Sequence, residues 1–458
     1  MTPTSHPGDG AGQMILVTGV YPIGAHLGGW RHPTAFPDIV MNLDAMIELA
    51  QLAERGKLHA LFLADGNAVR QMEKPALFES PGPSDRPASF EPTTVMAAIS
   101  QHTEHVGLFA TSTTTYDEPY LVARRFASLD HISKGRAIWN VVTGSYPGDS
   151  LNFGNEDLPD RETRYARSSE FLEVCKDLWD SWAADAFPQD KATGRFLDAS
   201  RVRTIDHDGP YFTVKGPLNL ARSPQGYPLL FMAGQSEPGR EMAAKHADCL
   251  FSVAATKEES IEVYRDIKSR MAKYGRHPDE LKIIPGIRAN VAATHEDAVQ
   301  LYAELNALVG PELGMQHLSA QIKFDLTGFD PDGPLPPLPK EAHGVTSIRD
   351  SLVNYARERG YTIRQTYQHL LAQEVTPPFT GSAEEVVDEM EDWFRSGACD
   401  GFNLNIPTLP LALERFVDLA VPELQRRGLF HDDYRASTVR EEVGVPIPQN
   451  RHFAARTA

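Results

Sequence analysis

Cysteine is scarce in this chain of 458 residues, and long hydrophobic runs are missing altogether. Only Cys175, Cys249 and Cys399 occur, far apart and without a C-x-x-C pair. That excludes a disulfide framework, argues against a structural zinc site, and leaves no metal to be expected. Such usage suits the reducing cytoplasm. No apolar stretch approaches the ~20 residues a membrane-spanning helix needs. The opening MTPTSHPGDGAG has neither the basic nor the apolar region of a signal peptide, so residues 1–12 read as a disordered tail. Positive charge is short as well: 44 Lys+Arg face 62 Asp+Glu, a net charge of −18. That balance repels nucleic acid and anionic membrane surfaces.

Motifs are missing too. No period of 20–50 residues recurs, which removes solenoids. The first strand-to-helix connection, YPIGAHLGGWRHPTAFP at 21–37, is too long for a tight phosphate turn and holds no G-x-G-x-x-G. A separate dinucleotide-binding domain is therefore not visible.

What is present is a regular alternation of strand-like and helical stretches. The strand candidates are MILVTGV (14–20), LHALFLAD (58–65), VGLFATST (106–113), RAIWNVVTG (136–144), PLLFMAG (228–234), CLFSVA (249–254), IIPGIRANVAA (283–293) and GFNLNI (401–406). Each is nearly continuous in hydrophobicity, as strands buried on both faces are. Pro285 and Gly286 weaken the start of the seventh. Helical stretches fall at about 38–55, from 93, and at 120–131, 164–182, 237–246 and 383–396. About eight parallel strands close a barrel, so the expectation is an α/β fold, a (β/α)₈ barrel over 13–435. Insertions interrupt it at about 145–226 and 310–349, and a C-terminal extension spans 436–458. Arg435, Arg440, Arg451 and Arg456 in and beside that extension read as solvated or subunit-bridging charges.

In such a barrel the functional groups gather at the carboxyl ends of the strands. Those ends carry Asp65, the threonines around Thr111, Asn140 to Ser145, and Gly234-Gln235-Ser236. Small hydroxyl, amide and glycine positions with one acid suit a large, planar, polar ligand. No lysine stands there for a Schiff base, no H-x-H follows the first strand, and Asp65 has no acidic companion for glycoside chemistry. His102 and His105 lie on the opposite face and read as surface histidines. At 161–165 (RETRY), Arg161, Arg164 and the Tyr165 hydroxyl converge near a helix start, and Ser236 stands at another. Two helix N-termini with a guanidinium make a candidate phosphate clamp. The simpler alternative is that Ser236 only caps its helix and Arg161 pairs with Glu162 or Asp160.

Several motifs in order carry a family likeness: GGWRHP (28–33), AERGKLHALFLADG (53–66), WNVVTG (139–144), RYARSSEFLEV (164–174) and MAGQSEPGREMAAKHAD (232–248). Over residues 28–405 the chain resembles the bacterial-luciferase-like flavin monooxygenases, within them the nitrilotriacetate, dibenzothiophene-sulfone and long-chain-alkane group. The resemblance implies FMN as cofactor, taken up as FMNH₂ from a separate reductase. O₂ would be activated as a flavin C4a-(hydro)peroxide, and a small organic substrate oxygenated. It places flavin contacts on Asp65, Thr111, Asn140, Arg161, Arg164, Tyr165 and Ser236, with Thr111 and Asn140 on ring or ribityl oxygens and Tyr165 and Ser236 on the phosphate. Relatives often carry histidine where this chain has Arg161. No catalytic acid or base is assigned; His26 is a candidate for proton transfer or substrate contact. Trp30, Phe36, Tyr116, Trp139, Phe153 and Phe231 are candidate pocket walls. Strand ends that are not strongly basic lean toward an apolar substrate over an aminopolycarboxylate. A homodimer or homotetramer is expected. A deazaflavin-dependent dehydrogenase or a non-catalytic flavin-binding protein is the alternative.

Overall fold

Apolar residues at alternate positions of eight strands have two places to go, the barrel axis or the ring of helices, and the sequence fills both. A computed structural model describes residues 12–21, 24–69, 88–144, 146–254, 256–322, 324–338, 348–373 and 379–453. The tail at 1–11, Arg456 and residues 339–347 of the second insertion lie outside these.

The strands are β1 (Ile15–Val20), β2 (Ala60–Leu63), β3 (Gly107–Thr113), β4 (Ala137–Val142), β5 (Leu229–Ala233), β6 (Cys249–Ser252), β7 (Lys282–Ile287) and β8 (Gly401–Leu404). Each pairs in parallel with its sequence neighbour, and β1 pairs with β8, closing the barrel. The (β/α)₈ expectation holds. Ile15, Val17, Phe109, Ile138, Leu229, Phe231, Cys249 and Ile284 pack along the axis. Leu16, Leu61, Leu108, Trp139, Leu230, Leu250 and Phe402 face outward into the helix layer. β7 starts at Lys282 despite Pro285, and Gly286 has a packing reason. A Cβ there would lie 2.6 Å from the Phe251 ring and 2.9 Å from the Asn405 amide nitrogen.

Helices pack on the outside: α1 (Leu43–Arg55), α2 (Pro92–Ile99), α3 (Pro119–Ile132), α4 (Arg161–Trp179), α5 (Glu237–His246), α6 (Lys257–Arg270) and α7 (His295–Ala307). Asn42 caps α1 by accepting from Ala45 N–H at 3.0 Å. The α4 helix begins three residues before the expected 164. The Asp160 carboxylate accepts from Thr163 N–H at 3.0 Å and from the Thr163 hydroxyl at 2.6 Å, which makes Asp160 the N-cap. Arg161, Arg164 and Tyr165 then sit at i, i+3 and i+4, on one face.

The second insertion is helical: α8 (Pro311–Ile322), α9 (Ile348–Glu358) and α10 (Ile363–Gln373) share a small core of their own around Leu318, Ile322, Ile363 and Tyr367. A further helix, α11 (Ala383–Arg395), leads into β8.

The C-terminal extension closes the bottom of the barrel. Val439, Val443 and Val445 join the axial core, and a Cβ on Gly107 would meet Val439 at 2.9 Å. Solvated charge is therefore the wrong description of Arg440. It is 1% exposed and donates to the Asp248 carboxylate at 2.7 Å and to Pro228 O at 3.2 Å. Arg451 is anchored as well, by Glu173 and Asp177 on α4. Beside this plug, His431 bridges Lys57 O (2.8 Å) and Glu442 (2.9 Å), and its ring stacks on His59 at 4.7 Å. His59, His431 and Glu442 are near enough to suggest a metal site. Hydrogen bonds already use three of the four imidazole nitrogens. Nδ1 of His59 accepts from Leu16 N–H, and both nitrogens of His431 are bonded.

Candidate active site

A cavity of about 490 Å³ opens at the carboxyl ends of β2 to β5, large enough for a nucleotide-sized ligand. Asp65, Thr111, Arg161, Arg164, Tyr165 and Ser236 all line it. Asn140 does not. It lies beneath, 7% exposed, with its amide nitrogen donating to the Thr111 hydroxyl at 2.9 Å. The two residues are register partners on β3 and β4, which is why they meet. The Thr111 hydroxyl in turn donates to Leu63 O at 2.9 Å. Its proton is spent inside the protein, so Thr111 presents an acceptor lone pair to the cavity. Asn140 thus supports Thr111 from below.

The opposite end of the cavity is built for an anion. Ser236 caps α5, accepting from Gly239 N–H at a long 3.4 Å. The capping role and a place in the cavity wall are compatible, so the simpler alternative for Ser236 is only half the description. Gly234 and Gly239 leave room around it. A Cβ on Gly239 would stand 3.0 Å from the Tyr165 hydroxyl, and one on Gly234 would stand 3.3 Å away. Gly234 also has φ of +146°, a conformation that side chains disfavour. Among the described residues neither the Tyr165 hydroxyl nor the Arg161 guanidinium has a protein partner, so Arg161 does not pair with Glu162 or Asp160. Glu237, in the first turn of α5, is drawn away by Arg270 at 2.5 Å. An unpaired guanidinium, an unpaired phenol and a helix N-terminus fit a phosphate.

Arg164, in the same cavity wall, is also a brace. Its Nε donates to Pro159 O at 2.9 Å and its Nη1 to Gly144 O, which pins the loop after β4 to α4. Arg167, one turn further, donates to Thr114 O and Asp117 O and pins the loop after β3. Sequence reasoning passed over this scaffold. It also missed the chain Ser112 to Asp117 (2.9 Å) to Arg125 along the cavity wall.

Phe62, Phe109 and Phe231 pack against one another in the barrel axis, with ring centroids 4.6 and 4.4 Å apart, and are not among the residues that line the cavity. Tyr116 and Phe153 stack at 4.6 Å near the rim, and the Tyr116 hydroxyl meets Ser150 at 2.6 Å. Trp139 is no wall of the pocket; it faces outward against Phe126 and Trp179. His26 is committed too. Nδ1 accepts from Gly28 N–H at 3.0 Å, so Nε2 carries the proton and donates to Asn306 Oδ1 at 3.0 Å. The ring staples the loop after β1 to α7 and has no nitrogen left for proton transfer.

Comparison with known proteins agrees with this geometry. The model of the luciferase-like monooxygenases matches residues 20–400. The N-acetyl-S-(2-succino)cysteine monooxygenase of Bacillus subtilis (strain 168) is 43% identical, covering 94% of this chain and 96% of its own. Nitrilotriacetate monooxygenase component A of Aminobacter aminovorans is 42% identical, with 93% and 95% covered. The crystal structure of a riboflavin lyase, with modified FMN and riboflavin, superposes with a TM-score of 0.76 at 32% identity, covering 94% of this chain and 95% of that one. The chain belongs to the luciferase-like monooxygenase family, as a flavin-dependent enzyme on a closed (β/α)₈ barrel.

Proposed function

We propose that the protein takes up FMN as FMNH₂ from a separate reductase and uses O₂ to oxygenate a small, carboxylate-bearing molecule. The reading rests on one observation: Tyr165 and Arg161, both without a protein partner among the described residues, line the same cavity as Ser236 at the N-terminus of α5, where Gly234 and Gly239 leave space beside the Tyr165 hydroxyl. There they hold the FMN phosphate, with Ser236 alongside. Asp65 and the acceptor lone pair of Thr111, fixed by Asn140, face the ring. When bound, reduced FMN supplies the electrons for O₂ activation.

The protein's contribution is position and dryness. Arg164 and Arg167 hold the two rim loops in place, and the Tyr116–Phe153 stack narrows access for water. A carboxylated substrate is favoured over the apolar class because succinocysteine and nitrilotriacetate, named for the two relatives above, are polycarboxylates. That the latter enzyme is a component A supports a partner reductase. Self-association is supported by Leu121 and Ile132, exposed eleven residues apart on one face of α3. Among the described residues no helix is long and apolar enough to cross a membrane, and the three cysteines are free and buried, which supports a cytoplasmic setting. The test supplies a generic flavin reductase, NADH and O₂, and screens carboxylated thioethers and amines for oxygenated product. Tight FMN uptake without product from any of them would make the protein a flavin carrier.

A further inference from the structure

The Thr111 hydroxyl stands in the cavity wall with its proton already committed. Leu63 O, two residues before Asp65, can only accept, so the 2.9 Å contact between them makes Thr111 the donor. The 2.9 Å contact with Asn140 must then run the other way, from the Asn140 NH₂ to the Thr111 oxygen. One lone pair of that oxygen is left. Among the described residues the Thr111 hydroxyl has no third partner. It therefore meets a ligand as an acceptor and never as a donor.

The next residue repeats the arrangement. Ser112 also lines the cavity and donates to the Asp117 carboxylate at 2.9 Å, while Arg125 holds the other oxygen of that carboxylate. Its own oxygen is left with lone pairs only. With the Asp65 carboxylate, the wall at the ends of β2 and β3 is built of acceptors, and acceptors read N–H groups. The two oxidation states of FMN differ in that respect. Reduction adds an N–H at N5 of the ring, where the oxidised ring offers a bare lone pair. Of the two acceptors facing the ring, Thr111 is 3% exposed and Asp65 is half-buried. The N5–C4a edge, from which electrons pass to O₂, has to be kept from water, so the buried acceptor is the one placed for it.

We infer that Thr111 accepts from the N5–H of reduced FMN, that Asn140 is the positioning residue which keeps its lone pair turned to the cavity, and that this contact makes the site select the reduced cofactor over the oxidised one. The inference rests on the flavin reading above and names the oxidation state that the wall recognises. Against oxidised FMN the same lone pair meets the lone pair of N5, and the committed hydroxyl cannot turn to supply a proton. Spent cofactor is thereby held less firmly than the reduced cofactor that replaces it.

The test is anaerobic titration of the full-length protein with oxidised and with reduced FMN, read as the ratio of the two dissociation constants. The wild type should hold the reduced form more tightly. Thr111→Val should cut that preference by roughly tenfold. The two-electron potential of the bound flavin then falls by about 30 mV. Thr111→Ser, which keeps the hydroxyl, should restore most of the preference, and Asn140→Leu, which frees the hydroxyl to turn, should lose part of it. The 5-deaza analogue of FMN provides a measurement on the unaltered protein. Carbon replaces N5 there, so its reduced form brings no N–H to Thr111, and its preference should be roughly tenfold smaller than that of FMN. The inference is overturned if Thr111→Val or Asn140→Leu binds FMN with the wild-type ratio, or if the deaza analogue shows the same ratio as FMN. A wild type that takes up FMN in neither oxidation state would instead remove the flavin reading, and this one with it.

Discussion

Replacing Tyr165 by Phe removes one oxygen from the anion cradle and disturbs little else, because that hydroxyl has no partner among the described residues. No buried group is stranded by the change, so the fold should lose only a few tenths of a kcal/mol. The ligand loses a hydrogen bond to a dianionic phosphate, worth about 1.5–3 kcal/mol for a charged acceptor. That converts to roughly 10- to 150-fold weaker FMN binding. Arg161→Gln should cost less, because the side chain is exposed and its field is screened. Riboflavin, which has the same ring and no phosphate, supplies the control. Its affinity should be the same in wild type and Tyr165→Phe, so the ratio of the two flavins isolates the phosphate contact. Anaerobic titration with reduced FMN and reduced riboflavin measures both. If Tyr165→Phe weakened riboflavin as much as FMN, the hydroxyl would be touching the ring or shaping the cavity, and the placement of the phosphate would be wrong.

Gly239→Ala places a Cβ 3.0 Å from the same hydroxyl, so FMN should bind several-fold more weakly while the far-ultraviolet dichroism stays unchanged. Arg440→Met leaves Asp248 buried and unpaired; about 3–5 kcal/mol of stability should be lost, read from urea unfolding, and Asp248→Asn in the same chain should restore part of it. Acid should loosen the barrel through the plug. Burial, then the neighbouring charge of His431, pushes His59 down from 6.5 to about 3. Between those values the unfolded chain takes a proton that the folded one refuses. Stability therefore falls as pH drops through this window, by up to about 1.4 kcal/mol per pH unit, and is flat above 6.5. Hydrogen bonds from His431, Arg435 and Ala436 outweigh burial and hold Glu442 at about 2, which adds loss in the same direction below 4.5. His59→Phe should flatten urea midpoints between pH 7 and 5; an unchanged slope would place the acid sensitivity elsewhere.

The barrel was legible because parallel strands buried on both faces announce themselves in single runs such as VGLFATST, and their ends name the cavity residues directly. The start of α4 could have been read as well, since Asp160 followed by Thr163 is an N-cap signal. What the sequence hid depends on long-range pairing. Arg440 looks like a tail charge until it meets Asp248, 192 residues earlier in the chain. Val439, Val443 and Val445 are too few and too scattered to suggest a plug before the barrel they close is known. The layering of Thr111 above Asn140 depends on strand tilt, which no local pattern records. His26 sits in the expected loop, yet its role follows from which neighbours hold its two nitrogens.

The charge of the chain and the charge of its ligands pull in opposite directions, and the site is organised around that conflict. A protein carrying −18 repels a flavin phosphate at long range. Salt screens that repulsion beyond about 8 Å, so recognition must come from cations placed within contact distance. Most arginines near the mouth are already spent: Arg164 and Arg167 on loop carbonyls, Arg125 on Asp117. Among the described residues Arg161 has no protein partner, and it stands in the cavity wall beside Tyr165 and Ser236. A phosphate gripped at that wall by contact, where long-range repulsion no longer counts, would leave the flavin ring directed toward Asp65 and Thr111 on the other side of the same cavity, so the clamp would do the work of orientation as well as of affinity.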